Sequence, residues 1–318
     1  MNERQELLDA IFGKIEKADS IVIFGHVNPD GDCVGSVLGL KHALRELFPG
    51  KKVYGVGTHP SYLPSFLEES DVVSDEVVSS SLAILVDLSD LARVEDQRIQ
   101  TAKEIVCFDH HVADKDSYPF LVYRDVTAPS ATFILSQLLL ERYGKIPQSA
   151  AKELFLGLVT DTGRFQYDCE PKTLEMAAKL VSCGVDYHSI YRELYRQNSK
   201  DLHYRAFVYD HFHFEGKVTY CFVSKADWSR LGLTQQEAGG KVNLLSLLDN
   251  HPLWAFFTEQ DDGIIRCELR SDGTYNVQEI AKSFGGGGHV PAAGCKVESF
   301  QKAMEVVKAL DNARKVEG

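Results

Sequence analysis

The chain has 318 residues, a length that suits two domains, and its 44% hydrophobic and 25% charged residues match an ordinary globular protein. No apolar run approaches the length of a membrane span. The formal net charge of −12 argues against broad binding to long nucleic acid, which needs a basic surface. A small anionic substrate stays open, because bound cations can reverse a local field.

Leu7, Leu8, Ile11, Phe12 and Ile15 repeat at helical spacing, so the chain starts with an amphipathic helix. No positive segment followed by an apolar block precedes it, so no signal peptide is expected and a cytoplasmic setting is. The seven cysteines are scattered, with no C-x-x-C and no zinc-finger spacing, which predicts reduced, mostly buried thiols.

Residues 21–25 read as a buried strand. His26, Asn28, Pro29, Asp30, Gly31 and Asp32 follow, and then helical periodicity through Val34, Leu38, Leu40 and Leu44. Pro29 and Gly31 bend the backbone, so the imidazole and the two carboxylates can converge. Three such N/O ligands suit a hard or borderline divalent metal. The alternative is plain turn chemistry with Asp as a helix N-cap. Cys33 reads as a small packing residue.

Three more strands are expected, at 52–57, 81–86 and 104–108. The third ends at Asp87, with Asp90 close behind as a cap. The fourth ends at Asp109, His110 and His111. In an open parallel α/β sheet, ligands sit beyond the carboxyl ends of the strands, so these groups should face one crevice. Residues 125–130 have turn and N-cap character. Helices are expected at 132–140, 149–159, 171–183 and from 187 to about 196. Asp161 stands at the end of a long apolar segment.

Residues 197–201 are the best linker candidate, either a tether or a helical hinge. Beyond them, 207–214 and 217–223 alternate as a β-hairpin, 253–258 and 264–269 as another pair, and 299–313 as a helix. Arg270 and Ser271 close a strand. Phe284 is followed by Gly285, Gly286, Gly287 and Gly288, then His289. Four glycines expose backbone N–H groups to a ligand, and Arg270 and His289 complete an anion site. A flexible glycine loop is the alternative.

The order H-x-N-P-D-G-D, a strand-end Asp, D-H-H and D-T-G-R-F resembles the DHH phosphoesterase superfamily. The later R-S and G-G-G-G-H-x-x-A-A-G resemble its DHHA1 partner domain. Together they resemble the small two-domain oligoribonuclease/3′-phosphoadenosine-5′-phosphate (pAp) phosphatase group, the nanoRNases. The resemblance implies an α/β fold: a DHH-like domain at 1–192 with a mainly parallel sheet flanked by helices, a linker at 193–205, and a smaller α+β DHHA1-like domain at 206–318. The active site would lie in the cleft between them.

The resemblance also implies the site. His26 and Asp30 would hold one ion, Asp32, His110 and Asp161 the other, and Asp87 would bridge them. Asp109 would orient a histidine, and His111 would face the substrate phosphate. Arg270, Ser271, Gly286, Gly287, Gly288 and His289 would grip the nucleotide. The expected cofactors are two divalent cations, Mn²⁺ first, with Mg²⁺ or Co²⁺ as alternatives. Four ionised carboxylates would repel phosphate; two divalent ions would cancel that charge and activate water. The expected substrates are short RNA oligonucleotides, linear dinucleotides such as pApA, and pAp, with no membrane partner and a homodimer left open. Alternatives are a pyrophosphatase or polyphosphatase, a RecJ-like single-strand exonuclease, and a non-catalytic nucleotide-binding regulator.

Overall fold

Apolar runs of four or five residues flanked by turn residues build the first sheet. The structure, a computed structural model, describes residues 3–60, 63–88, 90–112, 118–167, 169–246 and 248–316, and divides into two compact units, Met1–Arg196 and Gln197–Gly318. Both hold helices and sheet, so the class is α/β.

In the first unit α1 (Glu3–Lys17), β1 (Ser20–Phe24), α2 (Gly31–Leu47), β2 (Lys52–Gly55), α3 (Asp75–Ser80), β3 (Leu82–Val86), β4 (Glu104–Asp109) and β5 (Leu121–Arg124) precede four helices. These are α4 (Ala131–Tyr143), α5 (Gln148–Asp161), α6 (Pro171–Ser182) and α7 (Tyr187–Leu194). All five strands pair in parallel, in the order β2-β1-β3-β4-β5. The chain leaves β1 towards one edge and returns at β3 on its other side. The carboxyl ends of β1 and β3 therefore flank the point where the winding reverses, the place where such sheets bind ligands. Alternate residues face opposite cores. Ile21, Ile23, Ile84, Val86, Val106 and Phe108 pack among residues of α1, α2, α4 and α5, while Val22, Phe24, Ala83, Leu85 and Cys107 pack with Val78 of α3.

Helices α2 and α5 pack through glycine. A Cβ on Gly35 would lie 2.6 Å from the Glu153 carbonyl and 3.0 Å from the Gly157 nitrogen. A Cβ on Gly157 would lie 2.8 Å from Asp32 Oδ1. The missing methyls let the start of α2 meet the end of α5, where Asp32 and Asp161 reside.

In the second unit α8 (Ser199–Asp210), β6 (Phe212–Glu215), β7 (Val218–Val223), α9 (Lys225–Arg230), α10 (Gln235–Ala238), β8 (Leu253–Glu259) and β9 (Ile265–Ser271) come first. Then follow α11 (Val277–Ser283), β10 (Gly287–Gly288), β11 (Ala292–Val297) and α12 (Phe300–Asp311). The sheet order is β10-β11-β9-β8-β7-β6, antiparallel except for the parallel β7–β8 pair.

Two expectations are corrected. Residues 207–210 close α8 instead of opening a hairpin strand. An Asn198/Asp201 capping box starts that helix, and Tyr204, Phe207 and Val208 bury its apolar face. Half of the glycine run is not a loop either: Gly287 and Gly288 pair with Gly294 and Ala293 of β11. Among the described residues no helix is long and apolar enough to cross a membrane.

The glycine contact predicts that Gly35→Ala lowers unfolding stability in a urea titration by about 1–2 kcal/mol, because overpacking outweighs the helical gain of alanine. Gly13→Ala, where an added Cβ meets nothing within 4 Å, should be neutral or stabilising. Equal effects at both positions would contradict the packing account.

Candidate metal and phosphoester site

The carboxyl ends of β1, β3 and β4 place three groups side by side. His26 follows β1 and is buried; its Nε2 lies 3.3 Å from Asp87 Oδ2. Asp87 follows β3 and turns out of the strand in the left-handed region, at φ 62°, with its side chain 2% exposed. His110 follows β4, with Nε2 3.2 Å from Asp87 Oδ1 and 3.5 Å from Asp161 Oδ2. One buried carboxylate thus faces an imidazole with each oxygen.

The outer ring nitrogens define the roles of the inner ones. His26 Nδ1 is 3.0 Å from the Val27 carbonyl and His110 Nδ1 is 3.3 Å from the Ala128 carbonyl. A carbonyl only accepts, so each Nδ1 carries the proton, and in the neutral ring Nε2 turns its lone pair into the cluster. Metal-ligating histidines are oriented in this way. Asp87 Oδ1 is buried and has no well-aligned hydrogen bond. Lone pairs and a buried carboxylate oxygen converging on one space fit a divalent cation.

The two acids of the α2 turn differ. Asp30 caps α2, its Oδ1 accepting the N–H groups of Asp32 and Cys33 at 3.0 Å each. Asp32 lies on the first turn and reaches across to the start of α4. Its Oδ2 accepts the Ala131 N–H at 2.6 Å, and its Oδ1 accepts the Thr132 N–H at 3.0 Å and the Thr132 hydroxyl at 2.6 Å. Asp32 Oδ2 is also 3.9 Å from His110 Nε2. Asp32, His110 and Asp161 form one group compact enough to hold an ion, and His26, Cys33 and Asp87 form another. Cys33 is therefore more than packing: its Sγ accepts the His26 N–H at 3.4 Å beside the carboxylate.

A charge-assisted chain supports His111. Asp109 is fully buried, and its Oδ1 lies 2.9 Å from His111 Nδ1 and accepts the His111 N–H. Its Oδ2 accepts from Arg124 Nε and Nη2, both at 3.3 Å. Arg124 stands opposite Asp109 in the β4–β5 register and also donates to the Tyr118 hydroxyl. Neither residue was singled out from sequence; the available signal was an Arg closing a four-residue apolar strand. Asp90 caps a short 3₁₀ turn by accepting the Ala92 N–H.

In the second unit Arg270, next to last in β9, stands opposite Ala292, with Nη1 donating to the Leu269 carbonyl at 2.9 Å. Ser271 does not present its hydroxyl as a ligand group: it is buried and donates to the Tyr275 carbonyl. Gly288 has φ 136° and leaves no room for a Cβ, which would lie 2.6 Å from the Ala292 carbonyl. His289 is exposed, and its backbone N–H donates to the Ala292 carbonyl at 2.7 Å.

Crowded buried charge moves the acidities apart. Burial and the neighbouring Asp87 push Asp32 up to about 7. Burial and Asp32 push Asp161 well above the carboxylate range, and burial and Asp87 raise Asp30. Burial would raise Asp87 too, but His110 and His26 win and hold it low. Burial opposes charge on the two imidazoles, yet the adjacent Asp87 carboxylate lifts His110 to about 10 and His26 to about 12.

A cation entering this cluster must displace those protons, so its apparent affinity should rise with pH. At pH 8 Asp32 is ionised and at pH 6 it is neutral, while the imidazolium protons must leave at either pH. Calorimetric titration with Mn²⁺ should show affinity falling at least about tenfold per unit from pH 8 to pH 6. A pH-independent affinity would contradict the assignment.

The sequence matches the DHH family, N-terminal domain, over residues 20–184 and the DHHA1 domain over residues 215–315. A protein of Streptococcus mutans serotype c named probable bifunctional oligoribonuclease and PAP phosphatase NrnA is 33% identical over 307 residues, covering 96% of this chain and 98% of its own. The bifunctional oligoribonuclease and PAP phosphatase NrnA of Bacillus subtilis is 32% identical over 298 residues, 92% of this chain and 94% of its own. The crystal structure of an exopolyphosphatase-related protein from Bacteroides fragilis shares the fold, with a TM-score of 0.88 at 23% identity, covering 97% of this chain and 96% of that one. The chain belongs to the DHH family and carries a DHHA1 domain after the DHH domain.

Proposed function

We propose that this chain is a metal-dependent phosphoesterase that hydrolyses very short RNA oligonucleotides and linear dinucleotides such as pApA, and dephosphorylates pAp. The observation that carries this reading is the Asp87 carboxylate, with one oxygen facing His26 and the other His110. The printed names of its relatives add the substrate class. His26, Asp30 and Asp87 would hold one divalent cation, and Asp32, Asp87, His110 and Asp161 the second. When bound, the cations supply Lewis acidity to the phosphoryl group and the attacking water. Mn²⁺ is the first choice, since the carboxylate donors suit it and the two imidazoles favour it over Mg²⁺.

The protein side chains do the rest. Asp87 holds the two imidazoles apart at fixed orientation. Asp109, clamped by Arg124, keeps the proton of His111 on Nδ1, so Nε2 remains for a non-bridging oxygen or the leaving group. Arg270, the backbone of Gly286, Gly287 and Gly288, and His289 would bind the distal phosphate or base of the nucleotide. The net charge of −12 favours a local clamp over a long basic track, which suits short substrates. The seven free cysteines fit a reducing compartment, and we place the protein in the cytoplasm.

Purified protein with Mn²⁺ should turn over pAp, pApA and a five-nucleotide RNA much faster than a long RNA or pyrophosphate. A strong preference for either of the last two would overturn the substrate assignment. Asp87→Asn should lose at least about a hundredfold in kcat/KM with the fold kept by circular dichroism. Arg270→Ala should raise KM about tenfold with kcat little changed, the pattern of a lost charge-assisted contact. A fall in kcat alone would contradict its role in binding.

A further inference from the structure

The second unit holds a pair of reactive side chains that phosphoester hydrolysis does not use. Cys267 on β9 and Cys295 on β11 stand directly opposite each other across an antiparallel pair. Both are free thiols, 1% and 6% exposed, and both pack in the same apolar core. Directly opposed residues hold their Cβ atoms about 4.5–5.5 Å apart, and a disulfide needs about 3.5–4.5 Å, so a bond here draws the strands together. A disulfide under such strain is of the readily reduced kind.

The pair is coupled to the glycine run by contact. Gly286 lies so near Cys295 that a Cβ on it would be 2.7 Å from both the Cα and the Cβ of Cys295. Gly294, one residue before Cys295, pairs with Gly287. Arg270, three residues after Cys267 on the same strand, places Nη1 3.4 Å from the Ala293 carbonyl. Pulling Cys295 towards Cys267 therefore moves the surface on which Gly286 rests.

We propose that Cys267 and Cys295 form a redox modification site, a reversible disulfide beneath the glycine–histidine segment, made by a hydroperoxide and undone by a small thiol. The Cys295 sulfur attacks the peroxide O–O bond, that bond breaks, and a sulfenic acid forms on Cys295 with release of water. The Cys267 sulfur then attacks the Cys295 sulfur. The S–S bond forms, the S–O bond breaks, and a second water leaves. Two thiols lose two electrons and two protons, and one hydrogen peroxide becomes two waters. Cys295 is the more exposed of the two and lies on the strand next to β10, which makes it the first nucleophile. Hydrogen peroxide is small enough for so buried a site, and β10, two glycines without side chains, opens at little cost.

The effect on nucleotide affinity rests on the binding role given above to Arg270 and the glycine segment; the bond itself does not. Full-length folded protein is treated briefly with hydrogen peroxide in the presence of a chelator and then analysed by intact mass and peptide mapping. The expected product is lighter by about 2 Da, carries a crosslink between the peptides of Cys267 and Cys295, and reverts with dithiothreitol. No crosslink, or one joining other cysteines, overturns the proposal. The oxidised sample, returned to Mn²⁺, should show KM for pApA raised at least about threefold with kcat little moved, again reversed by dithiothreitol. A Cys267→Ala, Cys295→Ala double variant should not respond to peroxide. If that variant fails to fold, the dithiothreitol reversal on the natural chain makes the same distinction. An unchanged KM in crosslinked protein overturns the coupling alone, since turnover by the reduced enzyme tests the phosphoesterase reading separately.

Discussion

A buried carboxylate is costly unless something shares its charge, and Asp87 is the residue at which the first unit meets that cost. Its side chain is 2% exposed, and two imidazoles face it at 3.2–3.3 Å, one from the end of β1 and one from the end of β4, with His111 Nδ1 at 3.7 Å. Those strands are the two neighbours of β3 in the sheet. The parallel order therefore does more than build a core. It brings three strand ends level, so that one acid from the middle strand sits between two bases from the flanking ones. The left-handed turn at Asp87 is the backbone cost of aiming that carboxylate inwards.

The helices complete the cluster from the other side. The glycine contact between α2 and α5 brings the start of one helix to the end of the other. The start of α2 carries Asp30 and Asp32, and the last residue of α5 is Asp161. Asp32 also accepts N–H groups from the start of α4, where the helix dipole favours a negative charge. The same side chain thus holds α4 in place and faces His110. Removing it would loosen a helix junction as well as a ligand set.

Much of this was legible in the sequence because strand-end acids follow short apolar runs: Asp87 after 82–86, and Asp109 with His110 after 104–108. What remained hidden depends on contacts that no local pattern encodes. Arg124 closes a strand of only four residues, and its importance comes from the β4–β5 register. The tie between Asp32 and Thr132 spans 100 residues of chain. Residues 207–210 run into the alternating stretch 210–214, yet they form the last turn of α8 because Phe207 and Val208 pack into a core. The parallel β7–β8 pair could not be read from two hairpin-like segments, since pairing partners are set by tertiary packing. Cys33 looks like a small apolar residue in sequence, and only the fold brings its sulfur beside His26.

The central claim is that this cluster is a seat for two cations sharing Asp87. Anomalous diffraction from crystals soaked in Mn²⁺ tests it directly. The account predicts two peaks about 3.5–4 Å apart, one on each side of the Asp87 carboxylate. A single peak, or peaks remote from Asp87, would contradict it.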